Sequence, residues 1–241
     1  MVVVKTSNEQ IKSRLQGYFF GTIHIMLGKT VKDFYSAFDF EKMLVDSPKE
    51  IQDFLIGEIE FIKNLSKTGK ILEVGCGYGR LLKILSEKAE EVIGVDFSKQ
   101  LLEKAKENLE GFSNVKLQEM DAQNLLFANN SFNYVVCLDN TFGNMPGIED
   151  KVISEMKRVV KKGGKVIISV FSDLAKGVQL ENYSRIGLLG IKDTGNAVVT
   201  DNGFYSRRFS KKELEDLFES AGLKPTISSV CPVNYLALAT K

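Results

Sequence analysis

One histidine and three cysteines are all that the 241 residues offer a soft metal ion. His24 stands alone in Gly21-Thr-Ile-His-Ile-Met-Leu-Gly28, an apolar setting that suits a packed core side chain unless an N-terminal cap brings it over a site. Cys76, Cys137 and Cys231 are spaced for neither a zinc cluster nor a disulfide framework. No metal is expected, and a reducing, cytoplasmic setting fits. No apolar run approaches the ~20 residues that span a bilayer. Lys5, Asn8, Glu9 and Gln10 stand where a secretory signal would need an apolar core. Net charge is also lacking: 32 Lys and Arg against 31 Asp and Glu leave +1, so no global field gathers nucleic acid. Neither a repeat nor a low-complexity segment is present, and no motif assigns an oligomeric state.

What the chain does have is alternation. Hydrophobic residues at 44% and charged residues at 26% are ordinary for a globular protein, and the length suits one domain with an insertion. Ser47-Pro48-Lys49-Glu50 opens a helix, with serine as cap and Glu50 three residues on. Ile51, Phe54, Leu55, Ile59, Ile62 and Leu65 continue it at helical spacing. Strands are then expected at 71–74, 91–95, 115–120, 133–138 and 165–170. Helices are expected at 78–89, 98–109 (capped by Ser98) and 148–161, the last ending at Gly163-Gly164. Such alternation argues for a doubly wound, mostly parallel sheet covered on both faces. Right-handed crossovers bring Glu73, Asp96, Asp121 and Asp139 to one edge, where open α/β sheets bind ligands.

The densest information lies at 71–80, Ile-Leu-Glu-Val-Gly-Cys-Gly-Tyr-Gly-Arg. A strand that turns abruptly into a helix, with glycine at the turn, lets a ligand touch bare backbone and unpaired N–H groups. Glu73 adds a negative group that suits a cationic ligand better than a polyphosphate. Asp96 ends the next strand 21 residues after Gly75, about where an acid reaches ribose hydroxyls in this kind of fold. The bland alternative is a tight turn with helix-capping acids. A dinucleotide oxidoreductase would need glycine at 80 for close helix–strand packing, and Arg80 stands there.

Glu73-Val-Gly-Cys-Gly-Tyr-Gly79 resembles the first motif of the class I S-adenosylmethionine-dependent methyltransferases. Asp96 resembles the family's ribose acid, Met120-Asp121-Ala122 its adenine-binding segment, and Lys162-Gly163-Gly164-Lys165-Val-Ile-Ile168 its Gly-Gly-before-strand signature. The resemblance covers roughly 48–172 and implies a Rossmann-like fold with seven strands and S-adenosylmethionine as cofactor. It further implies that Gly75, Cys76, Gly77 and Glu73 face the methionine part and Asp96 the ribose. Phe97, Asp121, Ala122 and Leu138 would then surround the adenine and the methyl-transfer end.

Residues 137–146, Cys-Leu-Asp-Asn-Thr-Phe-Gly-Asn-Met-Pro, resemble the loop of glycine N-methyltransferase-like enzymes. Two departures weigh against glycine as substrate. Asn144 stands where those enzymes usually carry histidine, and Phe171-Ser172-Asp173 lacks their carboxylate-clamping arginine. The paired prolines of base-amino methyltransferases are missing as well. The expected activity is methyl transfer to a small-molecule N or O nucleophile. The alternatives are an RNA or protein methyltransferase, or a cofactor-binding protein without catalysis. Asp139, Asn140 and Tyr35 are the candidates for a catalytic part, with Asp139 and Asn140 otherwise shaping the turn. Tyr35, in Phe34-Tyr-Ser-Ala-Phe-Asp39, resembles a segment that covers the cofactor in relatives. Transfer of this kind depends mainly on alignment, so no obligatory base is expected.

The expected organisation is one domain, 1–241. An N-terminal helical cap spans 1–46 and a cofactor-binding core 47–172. An inserted lid with a hairpin around Asp201-Asn202-Gly203 spans 173–209, and a helix with two closing strands spans 210–241. Ser210-Lys-Lys-Glu213 and Ala221-Gly222 mark the start and stop of that helix. Arg207-Arg208 would either bind an anionic acceptor or form a solvated charged face.

Overall fold

Short runs with both faces apolar must be buried on both sides, and the strands here are. The computed structural model describes residues 31, 33–35 and 47–241. In it β1 (Thr68–Val74), β2 (Ala89–Asp96), β3 (Val115–Glu119), β4 (Phe132–Cys137) and β5 (Val160–Ser172) lie parallel in the order β3-β2-β1-β4-β5. β6 (Lys192–Asp193), β7 (Ala197–Val199) and β8 (Tyr205–Phe209) fall within 173–209, the expected insertion. β9 (Pro225–Ser228) and β10 (Asn234–Thr240) close the sheet antiparallel, β10 pairing with both β5 and β9. Without the insertion this is the expected seven-stranded, mostly parallel sheet.

Helices α1 (Lys49–Lys63), α2 (Leu82–Ser86) and α3 (Lys99–Asn108) cover one face. α4 (Glu149–Val159) and α6 (Lys211–Ser220) cover the other, and α5 (Lys176–Arg185) lies in the insertion. Period-two alternation divides the strands between the layers. Leu72, Val74, Val135 and Cys137 pack with Met156 and Phe218, while Ile71, Tyr134 and Val136 pack with Ile62, Leu82 and Leu102.

Ser98 and Ser210 cap α3 and α6 as expected, the latter in a full capping box with Glu213. Gly222, with φ 68°, stops α6. At α1 the outcome differs. Pro48 occupies the cap position with ψ 153°, and its carbonyl accepts from Ile51 and Gln52. Pro48 is itself extended rather than helical, so the helix starts at Lys49. The expected helix 78–89 shrinks to α2, because left-handed Gly75, Gly77 and Gly79 (φ 73°, 53° and 84°) draw the chain through a long turn. Strand β5 is longer than 165–170, starting directly from α4. Gly163 (φ 75°) sits where the β4–β5 register shifts, and Lys241 bonds to the backbone of both Gly163 and Gly164.

In the insertion, β7 and β8 form a hairpin whose turn contains Gly203 (φ 94°), and β6 adds a third strand. β8 then pairs parallel with Phe171 and Ser172. Phe171 also pairs with Asn234 of β10 on its other edge. β8 therefore takes the edge of β5 that β4 leaves beyond Cys137. Arg207 and Arg208 are neither an anion site nor a solvated face. Arg207 lies 4.4 Å over the Phe209 ring and bridges Glu149 (3.0 Å) and Glu213 (2.9 Å), tying the hairpin to α4 and α6. Arg208 is 2% exposed; it donates to Gln179 Oε1 at 2.7 Å, to Gly195 O at 2.8 Å and to Asp193. A buried guanidinium needs this many acceptors.

Of the expected cap, Val31, Asp33, Phe34 and Tyr35 are helical. Val31, Phe34 and Tyr35 join a third apolar cluster above the strand ends, with Phe54, Phe171, Tyr183 and Phe204. His24 lies outside the described residues. Among the described residues no helix is long and apolar enough to cross a membrane, and no group of three His, Cys, Asp or Glu could hold a metal ion.

Candidate active site

The turn after β1 is anchored to β2: Gly75 and Cys76 both donate to Val95 O, at 2.8 and 3.0 Å. Its three left-handed glycines do different work. A Cβ on Gly75 would stand 2.2 Å from Thr141 Cγ2, so the loop after β4 packs on bare backbone there. A Cβ on Gly79 would stand 2.9 Å from Leu109 Cδ1, so close packing against the end of α3 depends on Gly79. At Gly77 a Cβ would meet nothing within 4 Å, because that position faces a cavity over the strand ends.

Three carboxyl groups line this cavity, those of Glu73, Asp96 and Asp139, with one guanidinium, Arg80. Asp96 is held from two sides: Gly77 N donates to Oδ2 and Ser98 N to Oδ1, both at 2.9 Å. Burial raises its pKa, and these N–H bonds pull it back. About four lone-pair sites exist on a carboxylate, more than the backbone N–H groups take up. Glu73 is buried, and its Oε2 has no hydrogen-bond partner. Burial pushes this carboxyl well above its ordinary range, and nearby Arg80 only partly opposes it.

Behind Arg80 lies a group that the sequence reading passed over. Glu58 on α1 is fully buried; its Oε1 accepts from Asp139 N at 2.7 Å and from the Ser169 hydroxyl. Arg80 Nη2 reaches Glu58 Oε2 at 3.5 Å and Asp139 Oδ2 at 2.8 Å. Burial, reinforced by the Asp139 charge, raises the Glu58 pKa from 4.5 to about 7, against the pull of Arg80 and Ser169. The folded protein thus holds this proton more tightly than the unfolded chain. The resulting stabilisation is complete below the ordinary carboxylate range and is lost as pH climbs through 7. Tm is expected to fall between pH 5 and 8, and Glu58→Gln to flatten that fall; differential scanning fluorimetry over this range checks both. An unchanged slope in the variant would contradict the assignment.

Among the sequence candidates, Gly75, Cys76, Gly77, Phe97, Ala122 and Leu138 line the cavity together with Glu73 and Asp96. The Cys76 thiol is pushed up by burial, so this residue offers backbone rather than a nucleophile. Asp121 stands between Met120 and Ala122, which line the cavity. Its carboxylate closes an Asx turn by accepting from Gln123 N at 2.9 Å. Asp139 and Asn140 are both left-handed, at φ 55° and 54°, a conformation costing roughly 1–3 kcal/mol per non-glycine residue. The cost is met by the Glu58 and Ser169 bonds to Asp139 N and by the Asn140 side chain. Asn140 accepts from Phe171 N at 2.9 Å and donates to Ser206 Oγ (2.9 Å) and Asn144 Oδ1 (3.3 Å). Tyr35 lines the cavity with its hydroxyl donated to Tyr205 O at 2.8 Å.

Glu58 was detectable in the sequence. It falls on the buried stripe of α1, between Phe54 and Ile62, and an acid there signals a partner. Asn182, Tyr183 and Phe204 also line the cavity, but they come from the insertion, which carries no readable motif.

Comparison with known proteins decides the family. A family model described as a methyltransferase domain matches residues 71–164. Demethylmenaquinone methyltransferase of Staphylococcus aureus is 41% identical over 168 residues, covering 65% of this chain and 68% of that one. The chain belongs to the class I S-adenosylmethionine-dependent methyltransferases. Phosphatidylethanolamine N-methyltransferase of Cereibacter sphaeroides is 39% identical over 106 residues, and there the match spans about half (51%) of the relative's length. Among solved structures, PH0226 of Pyrococcus horikoshii superposes with a TM-score of 0.63 at 24% identity, over 80% of this chain and 90% of that one. The Burkholderia thailandensis 1,6-didemethyltoxoflavin-N1-methyltransferase, solved with 1,6-didemethyltoxoflavin and S-adenosylhomocysteine, does so at 0.57 and 15% identity, over 100% and 93%. These two establish the fold.

The cofactor of this methyltransferase family is S-adenosylmethionine, and the cavity fits it on three counts. An unpartnered, buried carboxyl oxygen at Glu73 awaits a cationic donor. The glycine turn leaves open space at Gly77. Asp96 keeps acceptor capacity beyond its backbone bonds.

Proposed function

We propose that this protein transfers a methyl group from S-adenosylmethionine to a small-molecule N or O nucleophile. The observation that carries this is the Glu73 oxygen, buried without a partner beside a left-handed glycine turn, its residue paired across the strands with Gly94, two residues before Asp96. The curated relatives give support, since both are named for acceptors that are neither RNA nor protein.

When bound, the cofactor supplies an electrophilic methyl group on a sulfonium. Glu73 would accept from its ammonium, directly or through water, and would be returned to the ionised form by that positive charge. Asp96 would accept from the ribose hydroxyls. Phe97, Met120 and Ala122 would hold the base, and Asp121 would accept from its amino group. Thr141 packs the loop after β4 on the bare backbone of Gly75. Alignment alone can contribute ~7–11 kcal/mol to such a displacement.

Of the three candidates for proton removal, Asn140 has its amide engaged three times and Tyr35 donates its hydroxyl to backbone. Asp139 lines the cavity, 44% exposed at its side chain with Oδ2 paired to Arg80, and on this reading it would take the proton. Such help adds roughly 10²–10⁴-fold where the acceptor must lose a proton. Incubating the protein with radiolabelled donor and a metabolite extract tests the reading. Label in a low-molecular-weight product is expected; label confined to RNA or protein would contradict it.

A further inference from the structure

Five buried side-chain atoms among the described residues have no hydrogen-bond partner: Glu73 Oε2, Asn182 Nδ2 and Oδ1, Arg207 Nε and Asn234 Nδ2. Arg207 and Asn234 bond through their other polar atoms. Asn182 alone has donor and acceptor both unpartnered, at 0% exposure, and it lines the cavity. Buried polar groups are normally satisfied, and one left unpaired is destabilising.

Its neighbours sharpen the contrast. Gln179, one turn earlier on α5, accepts from Arg208 at 2.7 Å and donates to Ser206 Oγ at 3.1 Å. The Tyr183 hydroxyl lies 2.6 Å from Ser206 Oγ, and that of Tyr35 donates to Tyr205 O. With those hydroxyls engaged, what remains of this wall is aromatic. Phe204 packs edge-on to Tyr183 (centroids 4.6 Å apart), and its ring lies 32° from that of Tyr35 at 6.1 Å. Phe54 and Phe171 complete it, 5.4 Å apart. A wall of rings with one free primary amide suits a flat molecule whose edge carries a donor beside an acceptor.

On the reading that this cavity holds a methyl acceptor, we propose that Asn182 is its specificity-determining residue. The acceptor it selects is a planar ring compound with adjacent hydrogen-bond donor and acceptor groups, as in a lactam, a ring amide or a hydroxy-carbonyl. A site built for such a bond rejects an analogue lacking the partner far more strongly than an apolar pocket rejects a change of size.

The probes are 2-quinolone, which presents N–H beside C=O, and 1-methyl-2-quinolone, which lacks the donor. Both are titrated calorimetrically into protein saturated with S-adenosylhomocysteine. The expected result is at least ~10-fold tighter binding of 2-quinolone, about 1.4 kcal/mol, with the preference abolished in Asn182→Leu. Equal affinity for the two probes, a preference that survives in Asn182→Leu, or no binding of either probe would overturn the proposal. The ligand-free variant should melt no lower than wild type, because leucine replaces an amide that bonds to nothing. A fall of more than ~4 °C, on the order of 1–2 kcal/mol for a chain of this size, would show that the amide is structurally engaged and would equally overturn it. Failure of S-adenosylhomocysteine to bind would instead strike the reading of the cofactor end, and the same titrations on ligand-free protein would still report the ring preference.

Discussion

Replacing Asp96 with alanine is expected to weaken S-adenosylhomocysteine binding by roughly 10²–10⁴-fold. Hydrogen bonds to a charged group contribute ~1.5–3 kcal/mol each, two ribose hydroxyls would be lost, and every ~1.4 kcal/mol is a factor of ten. The substitution also strips Gly77 N and Ser98 N of their acceptor, loosening the turn itself. Asp96→Asn keeps one acceptor oxygen and should fall between wild type and alanine. Calorimetric titration of the three proteins gives the order; affinity unchanged in the alanine variant would remove Asp96 from the site.

Arg80→Met is expected to be the most damaging single change to stability. Glu58 is wholly buried and Arg80 only 16% exposed at the side chain, so the variant leaves Glu58 and Glu73 without their counter-charge. Breaking such a pair typically costs ~3–5 kcal/mol, a large share of the ~5–15 kcal/mol that holds a domain folded. At about 2–4 °C per kcal/mol, Tm should drop by roughly 10–15 °C. Because Glu58 can escape by protonation, the drop should be smaller at pH 6 than at pH 8. Adding Glu58→Met should recover much of it, since removing both partners avoids the buried lone charge. A Tm within about 2 °C of wild type in the single variant would show that the network carries no such load.

What was legible in the sequence, and what was not, follows from the range of the interactions. The glycine turn, Asp96 and the strand alternation are local features, and β1 to β5 stand in the predicted order of chain. Boundaries shifted where backbone geometry intervened. Pro48 pushed α1 one residue on, three left-handed glycines shortened α2, and the bulge at Gly163 lengthened β5. Asp121 follows the third strand as expected, and its Oδ1 closes an Asx turn. The pairings that build the acceptor side are between residues far apart in sequence. Asn140 with Ser206 and Phe171, Glu58 with Ser169 and Asp139, and Arg207 with Glu149 are such pairs, and no spacing rule reaches them. Arg207 and Arg208 show the same limit: as a dipeptide they look like surface charge, and only the hairpin's seat beside β5 turns them inward.

The central claim is that the ends of β1 and β2 hold an adenosyl sulfonium cofactor. Isothermal titration with S-adenosylhomocysteine and, separately, NADH tests it most directly. One saturable site for S-adenosylhomocysteine, with no heat from NADH, is the predicted result. Tight NADH binding with S-adenosylhomocysteine silent would contradict it.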